Sequence, residues 1–219
     1  MTPRTASGAT RVARRVRARR GEGDRLREEI VDATEKLLIE TGSVDAVSIR
    51  AVAEAVGVTP PSIYIHFARK EDLILEVCER NFRALDAVIE LATCDECEPL
   101  DEVKAIGRAY IQFGLEHPEQ YRLLFMTRTP ALDPEDMRER IVGVSGFSRV
   151  VEAAQRCIDE GVFAPGDAFV IACGLWSGVH GLTSLFIAKP TFPWPDRDEL
   201  VEHVLDGYCR GLAPIEASA

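Results

Sequence analysis

Apolar residues recur at intervals of three and four along most of the chain, which is the spacing of helices that bury one face. The stripe between residues 25 and 41 is followed by Gly42, a residue suited to the left-handed turn that ends a helix. Comparable stripes predict further helices over about 70–91, 100–117, 119–126, 133–160, 168–188 and 196–212. The predicted fold class is therefore all-α.

The segment 48–73 has the pattern of two short helices joined by a tight turn. Ser48 is a suitable N-cap for the first helix, and Gly57 can end it in the left-handed conformation. Thr59 can cap the second helix, with Pro60 at its first position, where a missing N–H costs nothing. Two helices joined in this way predict a helix-turn-helix unit, whose second helix enters the major groove of DNA.

The same segment contains the runs Ala53-Glu54-Ala55-Val56, Gly57-Val58-Thr59, Ser62-Ile63-Tyr64, His66-Phe67 and Lys70-Glu71-Asp72-Leu73. These runs resemble the signature of the tetracycline-repressor (TetR) family of bacterial transcription regulators. That resemblance implies a homodimeric, ligand-responsive regulator, most often a repressor, that binds a pseudo-palindromic operator. It also implies that the helices at about 168–188 and 196–212 pair with their copies in the dimer. The expected domains are a basic disordered arm (1–24), a DNA-binding unit (25–70) and a helical effector-binding and dimerisation domain (71–219).

The predicted second helix lacks Arg, Lys, Asn and Gln, which are the residue types that make strong bidentate contacts with bases. Arg50 in the preceding helix is therefore the best base reader, and the family resemblance places a guanine-reading Arg there. A phosphate contact or a solvated surface position is the alternative for Arg50. Pro61 can pack on a thymine methyl group, and Ser62 can bond a base edge or a phosphate. Ile63 and Phe67 are assigned to the core. The residues expected to contact DNA are Ser48, Arg50, Thr59, Pro60, Pro61, Ser62, Tyr64, His66 and Lys70.

Charge is distributed unevenly along the chain. Residues 1–20 contain seven arginines and no acid, so they contribute +7 to a net charge of −10, and the other residues carry −17. A basic arm beside a DNA-binding unit can reach the minor groove, where the negative potential favours Arg. A solubilising tail and a transit peptide are the alternatives. The arm residues expected to bind DNA are Arg14, Arg15, Arg17, Arg19 and Arg20.

Aromatic and small residues are frequent in the predicted helices after residue 100. Gly107 and Gly114 can leave space there, and apolar pockets between bundle helices commonly hold small molecules. Trp176, His180 and Gly181 follow the W-x-x-x-H-G pattern of one TetR effector-domain subfamily. Ordinary core packing is the alternative for each residue. The predicted ligand-binding residues are Tyr110, Phe113, Gly114, Tyr121, Phe125, Met126, Phe147, Val150, Trp176 and His180, and the expected effector is a small apolar or aromatic molecule.

Residues 168–188 contain no Asp, Glu, Lys or Arg over 21 positions. That length can span a bilayer, but Ser, Thr and His within the segment and the lack of flanking basic clusters argue against it. A helix that is apolar on all sides is otherwise buried on several sides. We therefore predict a core helix that also meets the dimer partner.

Two cysteines, Cys94 and Cys97, form a C-x-x-C pattern in an acidic loop. No further zinc ligands with suitable spacing lie nearby, and neighbouring acids raise thiol pKa, so a thiol-based redox sensor is only the alternative hypothesis. No set of catalytic residues or phosphate loop is recognisable, and an enzyme that uses the apolar body is the remaining alternative. No cofactor is expected. The six cysteines and the missing export signal predict a reduced, cytoplasmic protein.

Overall fold

Helices alone form the regular structure in the residues that the computed structural model describes, which are 22–93, 98–126 and 146–214. The all-α fold predicted from the hydrophobic spacing is thereby confirmed. In chain order the helices are α1 (Glu22–Thr41), α2 (Ile49–Val56), α3 (Pro60–Tyr64), α4 (Lys70–Ala92), α5 (Pro99–Glu116), α6 (Pro118–Phe125), α7 (Phe147–Asp159), α8 (Ala168–Ala188) and α9 (Arg197–Leu212).

Three groups of predictions lie outside the described residues. They concern the basic arm with its arginines, the C-x-x-C loop at residues 94–97, and the part of the predicted helix 133–160 that precedes Gly146. The chain divides into two compact units at Val77 and Cys78, inside α4 and beyond the predicted boundary at residue 70.

The first unit is built on a buried face shared by α1, α2, α3 and the first turns of α4. Its fully enclosed side chains include Ile30, Val52, Ile63 and Leu73, each at most 1% exposed. The burial of Ile63 confirms its assignment to the core, as does the 5% exposure of Phe67. Such burial contributes about 1.5–3 kcal/mol per large aliphatic side chain, so these residues hold the short α2 and α3 helices in place.

Helix ends in the first unit follow the predicted local chemistry with one exception. The Ser48 hydroxyl accepts a hydrogen bond from the Ala51 N–H at 3.1 Å, and Gly57 adopts φ 77° and ψ 30° after α2. The expectation that the Thr59 side chain caps α3 is wrong. Its hydroxyl lies 3.1 Å from the hydroxyl of Ser62 instead and makes no capping bond.

In the second unit α5 packs against α7, α8 and α9, and α8 also contacts α7 and α9. The enclosed core of this unit includes Tyr121, Phe163 and Phe186, each at most 2% exposed. Gly161 adopts φ 73° just after Glu160, the C-cap of α7, which confirms the predicted end of that helix. α9 begins after Asp196, whose carboxylate accepts a bond from the Glu199 N–H at 2.9 Å.

The two glycines of α5 do not leave free space. A Cβ added at Gly107 would lie 2.6 Å from a methyl group of Leu205, and one at Gly114 would collide with Thr183 and with the ring of Tyr121. The interpretation of these glycines as pocket space is therefore wrong, because neighbouring side chains already fill it. Their physical role is to let α8 and α9 approach the α5 backbone closely.

Helix α8 is buried on one side and exposed on another. Leu175, Leu182 and Phe186 are at most 7% exposed, whereas Val170 and Leu185 are 64% and 49% exposed. By length and composition α8 is apolar enough to cross a membrane, but 44% of its apolar window is buried inside the protein. Core helices of soluble proteins meet the same criteria.

Candidate functional site

Five side chains from three helices form a hydrogen-bonded group, which we call the Tyr–His cluster: Tyr110 from α5, Tyr121 from α6, and Trp176, His180 and Ser184 from α8. Nδ1 of His180 lies 2.7 Å from the Tyr121 hydroxyl and 3.0 Å from that of Tyr110. The indole N–H of Trp176 donates to the Tyr110 hydroxyl at 3.2 Å. The spacing of Trp176, His180 and Ser184 places all three on one face of α8.

The Tyr–His cluster is uncharged. Burial lowers the pKa of His180 and raises the pKa of Tyr121, so the imidazole and the phenol are both neutral near pH 7. Burial likewise raises the pKa of Tyr110. The Tyr121 hydroxyl has further partners in the carbonyl oxygen of His180 at 3.1 Å and the hydroxyl of Ser184 at 3.3 Å. The hydroxyl group of Tyr121 therefore has three alternative hydrogen-bond partners: Nδ1 of His180, the carbonyl oxygen of His180 and the hydroxyl of Ser184.

Phe125 lies at the centre of the aromatic surroundings of this cluster. Its ring centroid is 5.0 Å from that of Tyr121, 5.5 Å from His180 and 6.1 Å from Trp176. It is also 5.9 Å from the ring of Phe82 on α4, in an edge-to-face arrangement. Phe125 thus contacts both the Tyr–His cluster and the second-unit part of α4.

The predicted ligand-binding residues separate into two groups in the structure. Tyr110, Tyr121, Phe125, Trp176 and His180 come together, and Phe147 joins them through Trp176 at 6.0 Å. Phe113 is 3% exposed, and its ring lies 5.1 Å from His117. Val150 packs on the core, and Met126 is 46% exposed.

Sequence reasoning omitted Ser184 and Phe82 from the site. Ser184 follows His180 by four residues, and this spacing alone could have indicated a shared face. The sequence gives no comparable signal for Phe82, since no spacing rule relates it to Phe125, which lies 43 positions later in the chain.

The residues predicted to contact DNA lie on the exposed side of α2 and α3. Arg50, Thr59, Pro60 and Pro61 are exposed, and Tyr64 is 53% exposed. Ser48, which caps α2, is also exposed, whereas Ser62 and His66 are half-buried.

Two basic side chains at the start of α4 have partners within the protein. Nζ of Lys70 donates to the carbonyl oxygen of Val44 at 2.6 Å, so this side chain also holds the loop before α2. The guanidinium of Arg69 pairs with the Asp72 carboxylate at 2.6 Å, and the same carboxylate accepts from the Arg69 backbone N–H at 3.0 Å. Asp72 thereby satisfies a donor at the start of α4 in the absence of a small polar N-cap residue.

Comparison with known families decides the identity of this fold. Residues 30–77 match the family model described as bacterial regulatory proteins of the tetR family, and residues 103–208 match one described as the tetracyclin repressor-like C-terminal domain. The chain belongs to the TetR family. The recognition made from the helix-turn-helix signature is thereby confirmed, while the W-x-x-x-H-G subfamily assignment stays a prediction.

Individual relatives agree with this membership. The chain is 29% identical over 164 residues to the uncharacterized HTH-type transcriptional regulator YobS of Bacillus subtilis. That alignment covers 74% of this chain and 79% of YobS. It is 30% identical over 122 residues to the HTH-type transcriptional regulator EthR of Mycolicibacterium smegmatis, and that alignment covers 54% of this chain and 54% of EthR.

Solved structures show the same architecture. A protein of unknown function from Rhodococcus sp. RHA1 superimposes with a TM-score of 0.70 at 28% identity, covering 86% of this chain and 96% of that one. NalD, the secondary repressor of the MexAB-OprM multidrug efflux pump in Pseudomonas aeruginosa, superimposes with a TM-score of 0.65 at 23% identity. The superposition covers 90% of this chain and 100% of the NalD chain. At that identity NalD supports the fold alone.

The TetR-family chain is therefore a DNA-binding transcriptional regulator and not an enzyme. Regulators of this family are typically ligand-responsive repressors that form dimers, and they are soluble bacterial proteins of the cytoplasm. The redox alternative gains no support from the comparisons. Among the described thiols, burial raises the pKa of Cys78 and of Cys157 to about 11, which leaves little reactive thiolate at neutral pH.

Proposed function

We propose that this TetR-family regulator is a cytoplasmic repressor whose effector binds at the Tyr–His cluster and releases the operator. The observation that carries the proposal is the group of neutral hydrogen-bonding side chains enclosed by aromatic rings in the C-terminal unit. Such a combination suits a small ligand that buries apolar surface and exchanges one or two polar contacts.

The electrostatics of the cluster favour an uncharged effector. The pKa of His180 is lowered by burial, so the imidazole offers no positive charge at pH 7 to an anionic ligand. The other polar groups of the cluster are hydroxyls and an indole N–H, none of which carries charge. A neutral aromatic or apolar molecule with a hydroxyl or carbonyl group fits this chemistry best.

Phe125 provides a physical route from the cluster to α4. A ligand that displaces or tilts this ring alters its contact with Phe82, whose centroid lies 5.9 Å away on α4. Helix α4 continues without interruption from Lys70 to Ala92 and passes the division between the two compact units. We infer that the ligand shifts a two-state equilibrium of this helix, which requires a different affinity for each state.

On the DNA side, we propose that Arg50 reads a base and that Ser62, Tyr64, His66 and Lys70 position α3 on the backbone. Lys70 retains two further N–H donors beside its bond to Val44, so it can bind phosphate and hold the loop at once. The arginines of residues 1–20 are proposed to add contacts in the minor groove.

The dimer is proposed to form through α8 and α9. Val170 and Leu185 expose apolar surface on α8, and Tyr208 on α9 is 44% exposed over Gly178. A Cβ at Gly174 or Gly181 would meet nothing within 4 Å, so a partner backbone can approach there. A two-fold dimer implies a pseudo-palindromic operator.

Trp176 allows the effector site to be tested directly. The chain contains two tryptophans, so a Trp194→Phe variant leaves Trp176 as the single fluorescent reporter in the cluster. Neutral aromatic compounds are screened for those that change the emission of Trp176. Separately, the chain is used to enrich a DNA duplex from a randomised library. Compounds that bind are then added to the complex of the chain with this duplex. Release of the duplex by such compounds supports the proposal. Compounds that release DNA while leaving Trp176 emission unchanged would place the effector elsewhere.

A further inference from the structure

Ile65 is unusually exposed for an isoleucine in a folded DNA-binding unit. Its side chain is 80% exposed, whereas its neighbours Ile63 and Phe67 are 0% and 5% exposed. Leaving a large aliphatic side chain in water forgoes the stabilisation that burial would supply, so this position does not serve the core. The exposed side chain follows directly on α3, the helix proposed to enter the major groove.

The backbone places Ile65 on the same face as Pro61. Ile65 keeps a right-handed helical conformation with φ −69° and ψ −29°, and it follows Pro61 by four residues. Residues at that spacing are neighbours on a helix surface. Pro61 is exposed as well. Together they form an apolar edge on the side of α3 that faces away from Ile63 and Phe67.

We propose that Ile65, with Pro61, selects the operator by packing on thymine methyl groups in the major groove. The proposal rests on the function proposed above and adds a specificity-determining residue to it. The C5-methyl group of thymine is the apolar group that base edges present in that groove. The segment from Thr59 to His66 contains no Arg, Lys, Asn or Gln, so its sequence discrimination must come from groups other than bidentate hydrogen bonds.

Uracil tests this inference because it lacks only the C5-methyl group of thymine. The full-length chain first enriches a duplex from a randomised library, and each thymine of one half-site is then replaced singly by uracil. Binding of the wild type, Ile65→Ala and Leu91→Ala is measured by fluorescence anisotropy. Leu91 is a matched control, because it is an exposed aliphatic residue, at 87%, in the second unit.

The expected result is a loss of about fourfold in wild-type affinity at one or two positions, the factor for removing one buried methyl group. Ile65→Ala should bind the thymine and uracil duplexes equally at the position that Ile65 contacts and should keep the discrimination that Pro61 supplies at a second position, whereas Leu91→Ala should discriminate as the wild type does. Equal wild-type binding to thymine and uracil at every position would overturn the inference, as would an Ile65→Ala variant that discriminates at every position as the wild type does. Either result leaves the proposed function standing, whereas a chain that enriches no duplex would reject both.

Discussion

The hydroxyl of Tyr121 lies 2.7 Å from Nδ1 of His180, and the same nitrogen lies 3.0 Å from the hydroxyl of Tyr110. One imidazole nitrogen thus faces two phenols, each of which has one proton to donate and lone pairs to accept. Tyr121 is 0% exposed and Tyr110 is 4% exposed, so the phenol side of this arrangement is shielded from water, whereas His180 itself is half-buried. A neutral His180 is the state that such an enclosure favours.

This enclosure predicts a pH dependence of stability. Burial lowers the pKa of His180 in the folded state below its ordinary value of 6.5. As the pH falls below that value, the unfolded chain takes up a proton that the folded chain does not, so the free energy of unfolding decreases. Urea denaturation at pH 7.5 and pH 5.5 should therefore show a larger loss of stability in the wild type than in His180→Gln. Equal losses in the two proteins would mean that His180 titrates in the folded state as it does in the unfolded state.

The effector site predicts different consequences for two aromatic residues. Trp176 is 38% exposed at the edge of the Tyr–His cluster, whereas Phe113 is 3% exposed within the core. Trp176→Ala should weaken the response to a bound compound with little change in DNA affinity. Phe113→Ala should instead reduce the free energy of unfolding by about 3–5 kcal/mol, the usual cost of such a core truncation.

Denaturation and anisotropy measurements on both variants separate these effects. If Trp176→Ala reduced DNA affinity and compound response to the same degree, Trp176 would be a residue that supports the folded structure and not one that contacts the ligand. The sequence alone expected Phe113 in the pocket, and the variant comparison also checks its reassignment to the core.

Much of the fold follows from the sequence because helix periodicity and glycine stops are local properties. Gly57 and Gly161 ended their helices as expected, since positive φ angles disfavour other residues. Side-chain partners were less predictable, because they depend on tertiary placement. The Thr59 hydroxyl could have bonded the N-terminus of α3, but in the structure it lies within hydrogen-bond distance of Ser62. Lys70 donates to a carbonyl oxygen 26 residues earlier in the chain.

The candidate site was predicted only in part for the same reason. Tyr110 and Phe113 both lie on α5 with spacing typical of a buried stripe, and only the packing of α6 and α8 decides which of them meets His180. Glycine is equally ambiguous in a sequence, because the missing side chain can leave a cavity or admit a neighbour. In this chain the ring of Tyr121 and the side chain of Leu205 occupy that space.

Lys70 is expected to contribute to DNA binding and to the stability of the loop before α2. Lys70→Met removes the bond to Val44 and one positive charge, so the free energy of unfolding should fall by about 1 kcal/mol. If Lys70 also binds phosphate, the slope of log affinity against log salt should decrease by about one unit. Lys36→Met is the matched control, because Lys36 is an exposed lysine of α1 that pairs only loosely with Glu40 at 3.9 Å. If the slope of log affinity against log salt were unchanged in Lys70→Met, Lys70 would not bind phosphate, and its role would be limited to the hydrogen bond with Val44.

The basic arm is expected to strengthen DNA binding through counterion release. Deleting residues 1–20 removes seven arginines. The truncated chain should bind the enriched duplex more weakly, and its affinity should depend less steeply on salt, since fewer phosphate contacts are made. Anisotropy titrations at several salt concentrations measure both quantities. A salt slope equal to that of the full chain would reject the arm as a DNA-binding element.

The central claim is that a ligand at the Tyr–His cluster controls operator binding, and the coupling between these two events can be measured. The affinity of the wild-type chain for the enriched duplex is determined by fluorescence anisotropy with and without a saturating compound identified through Trp176. We predict that the compound weakens DNA binding by at least about fivefold, the lower end of typical allosteric coupling. Equal affinities in the two titrations, with the compound bound at Trp176, would contradict the account.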